Sequence, residues 1–160
     1  MGFFNELKDK ATDLSKEIKI HDDKPKFVDR YHELFNEKNL LETYIKRTDK
    51  LLSEDPSNTT IQNLNEQHKS RYEVINQELD VIREKSSSLK ERLNNEKKVL
   101  ETQKAVEDST LQDIEMAFSK ASISEESYKS NIRQVSSKIK SFEKKIDKTE
   151  KTLSYLNDIK

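Results

Sequence analysis

Cysteine and tryptophan are absent from this 160-residue chain, glycine occurs once and proline twice. Without cysteine there is no disulfide framework and no thiolate metal site, which fits a reducing compartment and makes cytoplasmic residence the default expectation. A single glycine leaves no phosphate-cradling loop. No apolar run approaches the roughly 18 residues that a membrane span needs. Glu6, Lys8, Asp9 and Lys10 interrupt the N-terminus too early for a signal-peptide core. Gly2 is present, but Glu6 stands where a myristoylation signal needs Ser or Thr. The three histidines, His21, His32 and His68, lie far apart without metal-ligand spacing, and His21-Asp22-Asp23 reads as a solvated linker. No catalytic residues, no metal and no cofactor are expected, and the chain is not read as an enzyme.

What remains is charge and helix-forming residues. Charged residues make up 38% and hydrophobic ones 31% of the chain, with a net charge of −1. An ordinary globular domain is about 45–50% apolar and about 25% charged. So few apolar residues suit helices that bury only a stripe each, or disorder. Periodicity decides for helices. Charge is uneven: residues 121–160 are net positive and residues 21–120 net negative.

In residues 1–22, Phe3, Leu7, Ala11, Leu14 and Ile18 recur at helical steps, with Phe4 widening the stripe. This predicts a short amphipathic helix. Pro25 then starts a helix to about residue 53, with Asp23 or Lys24 as its cap. Its stripe is Phe27, Tyr31, Leu34, Lys38, Leu41, Ile45, Thr48 and Leu52, alternating steps of four and three as a heptad seam does. The turn at 54–58 leads into a long helix to about residue 120, with Asp55 as cap and Pro56 in its first turn. Its seam runs Ile61, His68, Tyr72, Ile75, Leu79, Ile82, Ser86, Leu89, Leu93, Glu96 and Leu100, and weakens at Gln103, Glu107 and Thr110. Leu100, Leu111, Ile114 and Phe118 fit an eleven-residue step better, and Glu107-Asp108-Ser109 offers a fresh helix start or kink. The last helix begins near residue 124, capped by Ser122 with Glu125, or by Ser124 with Ile123 and Tyr128 as a staple. Its seam, Tyr128, Ile132, Val135, Ile139, Phe142, Ile146, Thr149, Leu153 and Leu156, is the most regular.

A helix of about 63 residues is on the order of 95 Å long. The helices at 25–53 and 124–160 together nearly match it, and short turns make neighbours antiparallel. The expected fold is all-α: an elongated antiparallel coiled-coil hairpin or rod over residues 23–160, preceded by the amphipathic helix. Val28, Phe35, Leu64, Val74, Val99 and Val106 lie off the seam, so self-association into a homo-oligomer is expected.

Two surfaces carry functional expectations. Phe3, Phe4, Leu7, Leu14 and Ile18 would insert at a bilayer's headgroup boundary, with Lys8, Lys16 and Lys19 beside them. Charges in residues 6–19 balance at four of each sign, so attraction to anionic lipid would be small, and packing of this stripe on the rod is the competing reading. The second surface is Lys138, Lys140, Lys144, Lys145, Lys148 and Lys151, suited to lipid phosphates or an acidic partner. Its competing reading is ion pairing with the acidic long helix. Nucleic acid is disfavoured, because the aromatics lie on the seam and not among the lysines.

Met1-Gly2-Phe3-Phe4, the proline-started helix at Pro25 and Ser141-Phe142-Glu143-Lys144-Lys145-Ile146-Asp147 together resemble the phage-shock PspA/IM30 family, within the wider ESCRT-III-like group. The likeness covers most of the chain in layout and short stretches in sequence. The first hairpin arm is much shorter here. That resemblance implies a peripheral membrane protein that polymerises for bilayer protection or remodelling. BAR-type modules share the logic of an amphipathic start before long helices. The reading from another class is a soluble coiled-coil scaffold or adaptor that binds a protein partner, a viral assembly scaffold included.

Overall fold

The computed structural model describes residues 24–160, which fold as three helices with no strand among them: α1 (Lys26–Glu54), α2 (Thr59–Ser119) and α3 (Glu125–Leu156). The amphipathic-helix reading of residues 1–22 lies outside the described residues. The contacts divide the chain into two units, one holding α1 with the first part of α2 and residues 155–160, the other spanning residues 89–154.

In the first unit α1 and α2 are antiparallel. Arg30 pairs with Glu78, Glu37 with Arg71, and Asp49 with Asn65 and Lys69, so partners descend in number as the first residue climbs. Every residue expected on the α1 stripe is buried or half-buried. Leu34, Ile75 and Leu79 are fully buried, each of them contributing about 1.5–3 kcal/mol of apolar transfer. One seam position escaped sequence reasoning. Asn65, 5% exposed, donates to Thr48 Oγ1 at 2.7 Å and to Asp49 Oδ1 at 2.9 Å. Thr48 in turn donates to the Tyr44 carbonyl at 3.0 Å. A buried polar pair costs its desolvation in any other register, so it fixes the alignment of the two helices.

Val28 corrects the expectation that it faces water: it is 1% exposed. The last residues of the chain fold into this unit, with Leu156 and Ile159 buried. Tyr31 Oη and Arg83 Nε both donate to the Lys160 carbonyl, at 3.5 and 2.8 Å. A third segment thus joins the two-helix pair at the start of α1, where Pro25 and Val28 need cover.

In the second unit α2 and α3 are also antiparallel, with Lys97 to Glu150 at 3.1 Å, Lys104 to Glu143 at 3.4 Å and Glu107 to Lys138 at 4.0 Å. All nine expected α3 seam residues are buried or half-buried. On α2 the seam differs from expectation. Glu96 and Gln103 are exposed, and Lys97 and Lys104 are half-buried in their place. Buried positions step Leu89, Leu93, Lys97, Leu100, so the eleven-residue step falls there and not after Leu100. A lysine can hold such a position because its stem packs while its ammonium reaches a carboxylate. α2 continues without a break through Glu107-Asp108-Ser109, so no fresh helix starts there.

Helix ends depart from expectation in instructive ways. Pro25 is the cap of α1, in extended conformation and without a side-chain bond, so it precedes the first turn instead of occupying it. Asp55 closes α1, its N–H donating to the Leu51 carbonyl at 2.9 Å. Asn58, not Asp55, caps α2: its Oδ1 accepts from the Ile61 N–H at 3.2 Å. Pro56 therefore sits in the turn. Ser124 caps α3, accepting from the Ser127 N–H at 3.1 Å, which leaves Ile123 and Tyr128 at staple spacing and both half-buried. At the end of α2, Ser122 N–H donates to the Ala117 carbonyl and Ala121 N–H to that of Phe118. This Schellman closure puts Ala121 at φ 56°, left-handed backbone that costs a residue with a Cβ roughly 1–2 kcal/mol. Phe118 and Tyr128 stack across the connector, ring centroids 4.1 Å apart.

Two stability outcomes follow. Ala121→Gly should raise the free energy of unfolding by about 1 kcal/mol, read by denaturant titration. Ser86 is 2% exposed and its hydroxyl finds no hydrogen-bond partner among the described residues. Ser86→Ala removes that unsatisfied group and should stabilise by about 1 kcal/mol in the same assay.

Candidate functional site

Phe3, Phe4, Leu7, Lys8, Leu14, Lys16, Ile18 and Lys19 all lie outside the described residues. The basic surface does not. Lys138, Lys140, Lys144, Lys145, Lys148 and Lys151 are all exposed on α3. Lys138 reaches Glu107 of α2 at 4.0 Å, while its own side chain stays 63% exposed. Lys140, Lys144, Lys145 and Lys151 make no ion pair among the described residues. Of the pairing expected between these lysines and the acidic long helix, the Lys138–Glu107 contact is present, and Lys140, Lys144, Lys145 and Lys151 take no part in it.

The other ion pairs between these two helices run the opposite way. α3 supplies the carboxylates, Glu143 and Glu150, and α2 supplies Lys104 and Lys97. The geometry explains this. Glu143 and Glu150 are one heptad apart and each directly follows a seam residue, so they flank the contact with α2. Arg133, Lys140, Lys144, Lys148 and Lys151 step by seven, four, four and three along the side turned away from it. Asp147 is the one acid between Arg133 and Lys151 on that side, and Ser130, Ser137 and Ser141 fill the spaces. The outcome is a cationic strip about 27 Å long. Arg133 belongs to it and escaped sequence reasoning; its place one heptad before Lys140 is the signal that finds it.

The expected off-seam apolar residues divide as well. Phe35, Leu64, Val74, Val99 and Val106 are exposed, between 39% and 58%, whereas Val28 is buried. Leu40, Leu51, Val81 and Met116 are exposed too and escaped sequence reasoning. Among the described residues no group of three or more His, Cys, Asp or Glu side chains gathers as metal ligands would. His68 is half-buried with its ring 5.3 Å from that of Tyr44, and His32 is exposed beside Tyr31. Among the described residues no helix is long and apolar enough to cross a membrane.

The described residues are helical apart from short connectors, and the candidate surfaces among them are helix faces. No protein-family model, curated protein or solved structure matches it.

Two carboxylates tie the α1–α2 pair to pH. The Arg71 guanidinium, bonded to Glu37 at 2.9 and 3.1 Å, holds that carboxyl below the ordinary 4.5 of a glutamate. Hydrogen bonding from Asn65, then from Lys69, holds Asp49 below the ordinary 3.8. Depressed carboxylates stabilise the fold fully above their ordinary values and lose that contribution as pH falls through their lower folded ones. Acid titration followed by circular dichroism should show a loss of stability beginning below about pH 4.5 and continuing beneath 3.8. Glu37→Gln with Asp49→Asn should flatten that slope. Both groups are exposed, so the effect is small.

Proposed function

We propose that this chain is a self-associating coiled-coil protein, an antiparallel hairpin or rod preceded by an amphipathic helix, that attaches to membrane surfaces. Residues 1–20 are the insertion element, through Phe3, Phe4, Leu7, Leu14 and Ile18, and α3 adds a basic face. The protein would serve in bilayer protection or remodelling, as the layout shared with the PspA/IM30 family implies, from a cytoplasmic, peripheral position and without catalysis. The observation that carries the reading is the sorting of charge on α3. Its acids Glu143 and Glu150 turn toward α2, and Arg133, Lys140, Lys144, Lys148 and Lys151 turn outward. An amphipathic helix of balanced charge gains little from anionic lipid; an outward cationic strip supplies that attraction at about 1 kcal/mol per charge near the surface. The row of exposed apolar side chains on α1 and α2 favours a second reading, a soluble scaffold that binds a protein partner.

Vesicle co-sedimentation, with electron microscopy of the pellet, separates the two, because a scaffold ignores lipid. Replacing Phe3 and Phe4 with Ser removes at most roughly 3–6 kcal/mol of transfer free energy and should abolish vesicle binding with helicity unchanged. Lys140→Glu with Lys144→Glu should weaken binding to anionic vesicles while sparing neutral ones. A fall in thermal stability of the Phe variant, with lipid binding intact, would assign residues 1–20 to the protein core.

A further inference from the structure

The α1–α2 pair has two broad faces, and cross-helix contacts mark each. Asp49 with Asn65 and Lys69, and Tyr72 Oη donating to Glu42 at 2.9 Å, mark one; the Lys160 carbonyl also meets Arg83 on that side. Arg30–Glu78 and Glu37–Arg71 mark the other. Helical spacing sorts the exposed apolar residues between them. Leu40 is three residues past Glu37 and Leu51 two heptads past it. Leu64 is one heptad before Arg71, Val74 three past it and Val81 three past Glu78. All five therefore share the face of the two ion pairs, whereas Phe35, one heptad from Val28, is on the other.

Antiparallel pairing interleaves these five into one row. Val74 comes level with about residue 35 of α1, Val81 with about 28 and Leu64 with about 48, so five apolar side chains are spread over roughly six turns from the level of residue 28 to residue 51. That row is about 35 Å long. Two helices side by side are about 20 Å wide, so the face offers about 700 Å², close to the roughly 800 Å² per partner of a standard interface. Arg30, Glu33, Glu37, Arg71 and Glu78 pair along it, two positive charges against three negative. Lys26 and Arg47 stand at its two ends, where long side chains reach solvent. A face of mixed sign suits one kind of partner above all. In a two-fold contact the same patch meets itself, so a patch of one sign would repel its own copy, whereas a mixed one lets opposite charges meet.

The geometry points to the face carrying Leu40, Leu51, Leu64, Val74 and Val81 as the surface on which a second copy of this chain docks, face to face. This rests on the self-association proposed above and gives it a place. The residues are exposed in the single chain, so substitution there leaves the α1–α2 contacts intact.

Sedimentation equilibrium tests it on the full chain. The unsubstituted protein should be a dimer or larger at micromolar concentration. Leu40→Lys with Val74→Lys should weaken association at least about tenfold, because two ammonium groups would be buried without partners. Helicity should not change. Because the chain has no cysteine, Leu40→Cys near the middle of the row should form a disulfide-linked dimer on mild oxidation, and Glu73→Cys on the opposite face should not. Association unaffected by the lysines, or cross-linking through Cys at 73 instead, would overturn this face while leaving self-association standing. A monomer at high micromolar concentration would overturn both. A monomer destabilised by the two lysines would show that the chain's own residues cover the row.

Discussion

An amphipathic helix of about thirty residues cannot rest in water with its apolar stripe bare, and the chain has little else to offer as cover. Within the first unit α1 buries Tyr31, Leu34 and Leu41 beside Ile75, Leu79 and Ile82 of α2. Within the second, α3 buries Val135 and Thr149 beside the later part of the same helix. α2 is thus the common partner. Its 61 residues run unbroken because nothing in them asks for a turn: no proline, no glycine, and a buried step that shifts phase between Leu89 and Leu100 without unwinding the backbone.

Burial of the stripes also sorts the charges. Residues flanking a seam meet the neighbouring helix, so they are selected for opposite sign: Arg30 with Glu78, Glu37 with Arg71, Lys97 with Glu150, Lys104 with Glu143. Residues farther round meet only solvent and are free to serve something else. On α3 the charged ones among them are mostly cationic, and on one face of the α1–α2 pair five of them are apolar. Each isolated ion pair is worth about 0–1 kcal/mol, so their value lies in alignment more than in stability.

The helices were legible because a heptad seam leaves an arithmetic trace. The steps from Phe27 to Leu52 and from Tyr128 to Leu156 point to buried positions without reference to anything distant. Polar seam residues leave no such trace: Asn65 looked like surface until Thr48 and Asp49 stood opposite it. Lys97 and Lys104 were missed for the same reason, and Glu96 and Gln103 took their places by strict extrapolation of the heptad. Caps went astray where several residues qualified. Asp55 and Asn58 both have the chemistry, and only the backbone shows that Asn58 faces the Ile61 N–H. Val28 was misplaced because its place off the heptad seam gives no sign that the unit it belongs to also takes in residues 155–160, at the far end of the sequence. The basic strip was visible as composition, but its outward direction required knowing which side of α3 meets α2.

That far end bears on the order of folding. The Asp49–Asn65 contact closes over 16 residues and the Arg30–Glu78 contact over 48, so α1 can zip onto α2 from the turn outward. The Tyr31–Lys160 contact spans 129 residues. Its loop-closure entropy is met in stages only if α3 has already folded back along α2. Bringing residues 155–160 against Tyr31 and Arg83 thus closes the longest of these loops. Amides near the start of α1 should be the first in that helix to exchange when the chain end lifts away.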